Sequence, residues 1–206
     1  MIKNLLKVFK NKPKEIILNY WKNPDLNNSP KSYLDNDITL ERSEYLLQII
    51  KNHFDNNIKI LELGSNVGRN LNYLYKNNFK NLTGIEINEN AIKIMQEYYK
   101  ECYNNSKILV GAIEDYIKNF KDNEFDLIFT MAVLEHIHKD SEWIFDEMIR
   151  ISKFIITIED EKSLSWRHFP RKYDKIFSKK MKQIESEDCS FIKGFNQGFI
   201  MRIFQK

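Results

Sequence analysis

The sequence predicts an α/β fold. Its centre is a doubly wound sheet of seven strands, five parallel and then a C-terminal antiparallel hairpin, and an N-terminal helical lid precedes it. Three observations carry this expectation. From Asn57 onward, short apolar runs rich in β-branched residues alternate with segments of helical periodicity. The first run, Ile60-Leu61-Glu62-Leu63, ends in the glycine-bearing turn Gly64-Ser65-Asn66-Val67-Gly68, and the next ends in the carboxylate of Glu86. Finally, Met181–Cys189 and Gly198–Phe204 read as strands joined by a loop, Ser190 to Gln197, too short for a helical crossover. That pair should be antiparallel. The repeated βα units before it imply a parallel sheet with right-handed crossovers.

The elements follow in order. Residues 1–37 are expected to form a helical cap, with Ile2, Leu5, Leu6 and Phe9 at helical spacing. Asn23-Pro24, Asn27-Asn28 and Ser29-Pro30 mark turns. Lys3 to Lys14 reads as a solvated helix face, with a basic patch as the alternative. Met1 to Phe9 reads as packing on the domain, with a membrane-surface helix as the alternative. Residues 38–206 form the second unit. A helix from Ile38 to Phe54 places Leu46, Ile49, Ile50 and His53 on one stripe. Strands are expected at 58–63, 81–86, 107–110, 125–130 and 153–158, buried on both faces. Between them lie the stripes Leu71, Leu74, Tyr75, then Ala91, Ile94, Met95, Tyr98, Cys102 with Asn88 as N-cap, then Ile144, Met148, Ile151.

Composition narrows the function classes. The 206 residues are 42% hydrophobic and 30% charged, which suits one domain with a substantial core. A net charge of +3 without a dense basic stripe gives no strong nucleic-acid signal. Cys102 and Cys189 stand alone, so no thiolate metal site or disulfide framework is expected. No apolar run spans a bilayer and no leader is evident, so a cytoplasmic protein without a membrane role is expected.

The turn at 64–68 is a nucleoside cradle. Glycines let the backbone approach a ligand at the C-terminal ends of the strands, and an acid roughly 20 positions on can bond both ribose hydroxyls. A dinucleotide loop would read G-x-G-x-x-G. Here Asn66 holds the middle position, and Asn tolerates a left-handed backbone best among non-glycine residues.

Four stretches fall in a telling order: Leu61 to Gly68, Leu82-Thr83-Gly84-Ile85-Glu86-Ile87, Gly111-Ala112-Ile113-Glu114-Asp115, and Phe125 to His136. In these the chain resembles the class I S-adenosylmethionine-dependent methyltransferases, whose fold is Rossmann-like. The resemblance extends from about residue 38 to the end and thins out before it and at 160–180. It implies S-adenosylmethionine as cofactor and S-adenosylhomocysteine as product. It implies that Gly64, Asn66 and Gly68 shape the loop by the methionine moiety and that Glu62 lies near that moiety. Glu86 would take the ribose diol, Ile87 would pack on the adenine, and Ile113 would offer its backbone N–H with Glu114 or Asp115 near the amino group. Thr130 and Met131 would lie beside the sulfonium. Ala112 departs from the pattern, since many relatives carry Asp there.

Methyl transfer is an in-line displacement, so positioning supplies much of the rate and a base serves a hydroxyl or protonated amine. His136 and His168 are the candidate bases. His138 reads rather as solvated. Arg167 and Arg171, with Lys172, are candidates to clamp a carboxylate or phosphate, Trp166 to stack on a substrate ring, and Tyr33, with Tyr20-Trp21, to close the site against water. Arg42 is a candidate for the cofactor carboxylate, with a surface salt bridge as its alternative. No Asp/Asp/Asn set marks the strand ends, so no metal is expected. The acceptor is expected to be a small molecule methylated on O or N, such as a sugar or natural-product intermediate, and the protein a monomer or homodimer. An RNA or protein methyltransferase and a non-catalytic cofactor-binding module are the alternatives. Against nucleobase chemistry, Phe129-Thr130-Met131-Ala132 lacks the Asn/Asp-Pro-Pro-aromatic pattern of adenine-amino methylases.

Overall fold

The computed structural model describes residues 12–206. The helical spacing at 2–9, most of the basic stretch from Lys3, and the membrane-surface alternative for Met1 to Phe9 lie outside the described residues. Helix α1 spans Lys14–Lys22 and is followed by two short 3₁₀ turns, Leu26–Asn28 and Pro30–Tyr33. Helix α2 then runs Asp37–His53, started by Asn36, whose side chain accepts from the Ile38 and Thr39 N–H groups.

The alternating part follows as β1 Ile60–Leu63, α3 Arg69–Lys76, β2 Leu82–Glu86, α4 Glu89–Tyr98, α5 Lys100–Asn104, β3 Lys107–Val110, α6 Ile113–Tyr116, β4 Phe125–Met131, α7 Trp143–Ile151 and β5 Ser152–Asp160. Helix α8, Tyr173–Phe177, leads to the hairpin β6 Lys182–Asp188 and β7 Phe199–Gln205. The sheet order is β3-β2-β1-β4-β5-β7-β6. All pairings among β1 to β5 are parallel, and β7 pairs antiparallel with both β5 and β6. This is the expected seven-stranded, doubly wound sheet. The order reverses between β1 and β2 on one side and β4 on the other, so the ligand crevice of the fold falls at the C-terminal ends of β1, β2 and β4.

Two apolar cores cover the two faces. One gathers Leu46, Ile50, Ile60, Leu71, Met95, Phe129 and Met201, and the other Leu61, Leu63, Ile128, Ile144, Met148, Tyr173 and Phe204. Neighbours in sequence such as Ile60 and Leu61 therefore serve opposite faces, which is why β1 reads as an unbroken apolar run. Asn88 caps α4, accepting from Asn90 N at 2.9 Å and Ala91 N at 3.2 Å.

Three expectations fail locally. β3 is an edge strand with exposed ends and is not buried on both faces. His53 leaves the α2 stripe and instead faces Glu185 of β6 at 3.0 Å. Tyr98 is exposed, because the α4 helix ends there and the chain restarts as α5 at Lys100, so one stripe cannot continue through to Cys102. Among the described residues no helix is long and apolar enough to cross a membrane.

Candidate active site

A cavity of about 330 Å³ opens at the predicted crevice. Its floor comes from the β1, β2 and β4 ends, and residues of α1 (Lys14, Ile17, Leu18 and Trp21) form part of its wall.

The turn after β1 sets the geometry. Gly64 (φ +70°) and Gly68 (φ +72°) both hold left-handed backbones, and Asn66 does so at φ +48°. Only glycine adopts such angles without strain, and Asn is the next best, so the residue choice follows the turn. The N–H groups of Gly64 and Ser65 both donate to the Ile85 carbonyl, tying the turn to β2. The Asn66 N–H is turned to Glu86 Oε2 at 2.7 Å, while Asn88 N donates to Glu86 Oε1 at 2.8 Å. Glu86 is thus a buried carboxylate whose oxygens are fixed in direction by two backbone donors, each with a further lone pair for a ligand. Burial raises its pKa, and the Asn88, Asn66 and Ile87 N–H groups oppose that rise.

A buried polar network lies beneath the turn. Asn70 Nδ2 donates to Glu62 Oε1 at 2.9 Å, and Asn70 Oδ1 accepts from Ser43 Oγ at 2.8 Å and Arg69 Nη2 at 3.1 Å. Arg69 Nε donates in turn to Ser43 Oγ at 2.9 Å. Glu62 Oε2 is buried without a partner among the described residues. Burial pushes the Glu62 pKa up to about 8, with Asn70 and Arg69 pulling against it. A buried oxygen without a donor is the feature a ligand ammonium group would satisfy. Because the folded-state pKa is raised above its ordinary 4.5, Glu62 favours the fold while neutral, and that contribution is lost as pH rises from about 4.5 through about 8. Glu62→Gln, measured by thermal melting of the ligand-free protein, should therefore gain stability relative to wild type as pH rises across that window. A melting difference flat with pH would show that Glu62 is not a buried titrating group.

At the far end, Ile87, Ala112, Ile113 and Glu114 line the cavity. Glu114 accepts from Ser141 Oγ at 2.7 Å and lies 3.8 Å from Lys14 Nζ of α1. Asp115, the alternative to Glu114, does not line the cavity and caps the Ala112 N–H at 2.9 Å.

Beyond β4, Met131 and Ala132 reach the cavity, and Ala132 holds φ +57°. The segment that follows is fastened by a buried acid: Glu159 Oε2 accepts from the N–H groups of Val133 and Leu134, each at 2.9 Å, and of Glu135 at 3.4 Å. Glu135 is buried beside Glu159, and burial together with that neighbouring carboxylate raises its pKa.

This segment delivers His136. Its Nδ1 lies 3.2 Å from the Arg167 carbonyl, which can only accept, so Nδ1 carries the proton and Nε2 keeps the lone pair. The His136 ring lies between Trp21 at 4.4 Å and His168, with which it stacks at 4.6 Å. Burial, with His168 next in size, lowers its pKa to about 3. His168 holds Ser165 Oγ at 2.9 Å through Nδ1, and burial lowers its pKa too. His138 also lines the cavity, its Nδ1 accepting from Asp140 N.

The remaining candidates separate. Tyr33 and Arg167 line the cavity. Arg42 also lines it, but its guanidinium donates to the Lys193 and Gly194 carbonyls and lies 4.4 Å over the Phe195 ring, so it fastens the β6–β7 loop to the mouth. Four of the sequence candidates do not reach it. Gly68 is one, because it packs against the Met95 side chain of α4 while Gly64 to Val67 line the cavity. Thr130 is fully buried in β4, paired with Leu63 and Thr157, because strand alternation turns it away where Met131 faces in. Trp166 packs edge-on against Tyr20 at 5.1 Å, behind the lining. Arg171 spends its guanidinium on the Leu134, Ile137 and Phe169 carbonyls and on Glu142, so it staples loops together. Ligand atoms of Glu135, His136 and His168 lie within 4.8 Å of one another, a grouping that could hold a metal ion, where the sequence led us to expect none. The Arg167 charge, which lowers both imidazole pKa values, opposes a cation there. The sequence reading missed Arg69, Asn70 and Glu135. The polar pair opening α3 directly after Gly68 was the available signal for the first two.

A family model described as a methyltransferase domain matches residues 61–153. Phosphoethanolamine N-methyltransferase of Plasmodium falciparum is 27% identical over 103 residues, which cover 50% of this chain and 37% of that protein. The match thus spans little more than a third of that relative's length. Magnesium protoporphyrin IX methyltransferase of Synechocystis, solved with S-adenosylmethionine bound, superposes with TM-score 0.70 at 13% identity, covering 94% of this chain and 97% of that one. The cyclase SpnF superposes equally well, at TM-score 0.70 and 13% identity, covering 96% and 98%. Likeness at this level establishes the fold. The stretch matched by the methyltransferase-domain model, 61–153, is also the one that brings Glu62, Gly64, Asn66 and Glu86 to the cavity, so this part of the chain is similar to a methyltransferase domain both in sequence and in what it places there.

Proposed function

We propose that the protein binds S-adenosylmethionine across the β1, β2 and β4 ends and transfers its methyl group to a small molecule in the same cavity. The observation that supports this most is that one cavity is lined both by Glu62, Glu86 and Ile113 and by His136, Arg167 and His168. The residues present fit the cofactor. Among the described residues Glu62 Oε2 lacks a partner where an ammonium group would lie, and Glu86 offers lone pairs to a diol. The cofactor supplies a methyl group on a sulfonium, which accepts the electron pair of the breaking S–CH₃ bond as the new O–CH₃ or N–CH₃ bond forms.

The chain's own residues would do the rest. Glu86 and the backbone at Ile113 hold the nucleoside, and Glu62 with Asn70 holds the amino acid end. His136 presents Nε2 as acceptor for the proton of the acceptor's hydroxyl or amine, and His168 backs it by stacking. Helix α1, with Trp21 against His136, keeps water from the reacting atoms. A cavity of about 330 Å³, much of it given to the cofactor, favours a small acceptor over an RNA or a folded protein. The name of the Plasmodium relative, a phosphoethanolamine N-methyltransferase, favours the same size of ligand.

Calorimetric titration with S-adenosylmethionine and S-adenosylhomocysteine tests the first half, and saturable binding of both is expected. Release of S-adenosylhomocysteine with a panel of hydroxyl and amine acceptors tests the second. Binding without turnover on any acceptor would favour the non-catalytic module instead.

A further inference from the structure

Among the described residues, two buried donors on side chains that line the cavity have nothing to donate to. Arg167 Nε and Trp21 Nε1 are both buried and, among the described residues, both without a hydrogen-bond partner, and both residues line the cavity. They belong to one cluster. The Arg167 guanidinium lies 5.7 Å from the Trp21 ring, 5.0 Å from Tyr20 and 5.7 Å from Trp166. Three aromatic faces hold the cation in place, as ring quadrupoles attract a guanidinium. They do so without consuming any of its N–H groups. Among the described residues Arg167 makes no ion pair.

The neighbouring acids do not fill that need. Glu86 is committed to the Asn66 and Asn88 N–H groups, Glu114 to Ser141 and Lys14, and Glu135 to the Asp160 N–H. A buried Trp N–H or Arg Nε normally finds an acceptor, and leaving one unmade is costly. Two such donors beside one fixed positive charge match an oxyanion, which accepts several hydrogen bonds and strengthens each by its charge.

We infer that the methyl acceptor carries an oxyanion, a carboxylate or a phosphate monoester, received by Arg167 Nε and Trp21 Nε1. This deepens the transfer reading and rests on it for the word acceptor. The anion lies next to His136, whose Nδ1 is held by the Arg167 carbonyl. Gripping the anion therefore brings the acceptor's nucleophilic group to the imidazole. Uncharged analogues of the same shape would leave both donors unmet and bind less tightly.

The test uses the full chain loaded with S-adenosylhomocysteine. It is titrated calorimetrically with sodium phosphate and, separately, sodium acetate, at constant ionic strength balanced with chloride. At least one anion should bind saturably to wild type. Arg167→Gln should weaken it at least about tenfold, and Trp21→Phe, which keeps the ring and removes only the N–H, at least about threefold. Phosphate alone assigns a phosphate monoester, acetate alone a carboxylate, and both an oxyanion in general. Binding of neither anion to wild type, or wild-type affinity in both variants, overturns the inference. If Arg167→Gln fails to fold, Trp21→Phe decides by itself. If wild type does not take up S-adenosylhomocysteine, the transfer reading falls, and the same titrations on the ligand-free protein still decide this one.

Discussion

Glu86→Ala is expected to lower affinity for S-adenosylmethionine and S-adenosylhomocysteine by roughly a hundredfold or more. Two hydrogen bonds from ribose hydroxyls to a buried carboxylate would be lost, at about 1.5–3 kcal/mol each for charge-assisted bonds, and about 1.4 kcal/mol is tenfold. The substitution also removes the acceptor of the Asn66 and Asn88 N–H groups, which join the glycine turn to the start of α4. Both effects weaken binding. Glu86→Gln keeps the shape but turns a donor toward one of those N–H groups, so it should lose affinity as well. Calorimetry with each variant, with melting curves to confirm folding, measures the difference. Affinity within about threefold of wild type in Glu86→Ala would take the ribose off Glu86.

His136→Ala should lower kcat by up to about 10²-fold on an acceptor whose proton must leave, the low end of the range for a general base, because its lowered pKa makes His136 a weak one. The cofactor's Kd should stay near its wild-type value, since the proposed cofactor contacts at Glu62, Glu86 and Ile113 do not include His136. The pH dependence adds a sharper check. His136 has its pKa lowered to about 3, so Nε2 is unprotonated throughout the ordinary working range. The kcat/KM profile should lack a fall near the ordinary imidazole value of 6.5, and any acid limb should come from another group. Such a low pKa also makes a weak base. Burial sets most of the shift and His168 comes next, with the Arg167 charge a lesser contributor. An anion on Arg167 would offset that last part, so the base would strengthen when an anionic acceptor binds. His168→Ala, removing the stacked partner, should cost less than His136→Ala. Equal rates for wild type and His136→Ala would exclude the assignment.

Much of the fold was legible because burial on both faces writes itself into the sequence as apolar runs. β3 was placed at its observed bounds, 107–110, and the glycine turn and Glu86 were placed correctly relative to each other. What periodicity could not show is which neighbour covers a face. Tyr98 and His53 have the right spacing for a stripe, yet one meets a helix break and the other a β6 carboxylate, both consequences of tertiary contacts. The arginines show the same limit. Arg167 and Arg171 stand four apart in one loop and read alike. One lines the cavity with its buried Nε unmet among the described residues, and the other is saturated by three carbonyls and a carboxylate, which only the path of the chain decides. Thr130 and Met131 differ only by strand parity. Arg69 and Asn70 were hidden because helix-start polar residues are usually solvated, whereas here α2 packs over them.

The position of β7 sets an order of events during synthesis. β6 leaves the ribosome before β7, yet β7 lies between β5 and β6 and, among the described residues, is the one strand that β6 pairs with. The loop joining them supplies the carbonyls that hold Arg42, a residue translated some 150 positions earlier. While β7 is still in the exit tunnel, β6 has no edge to join and the cavity mouth no fastening on that side. Cofactor binding to the nascent chain should therefore mature late, after residue 205 has emerged, although the glycine turn was made more than a hundred residues before.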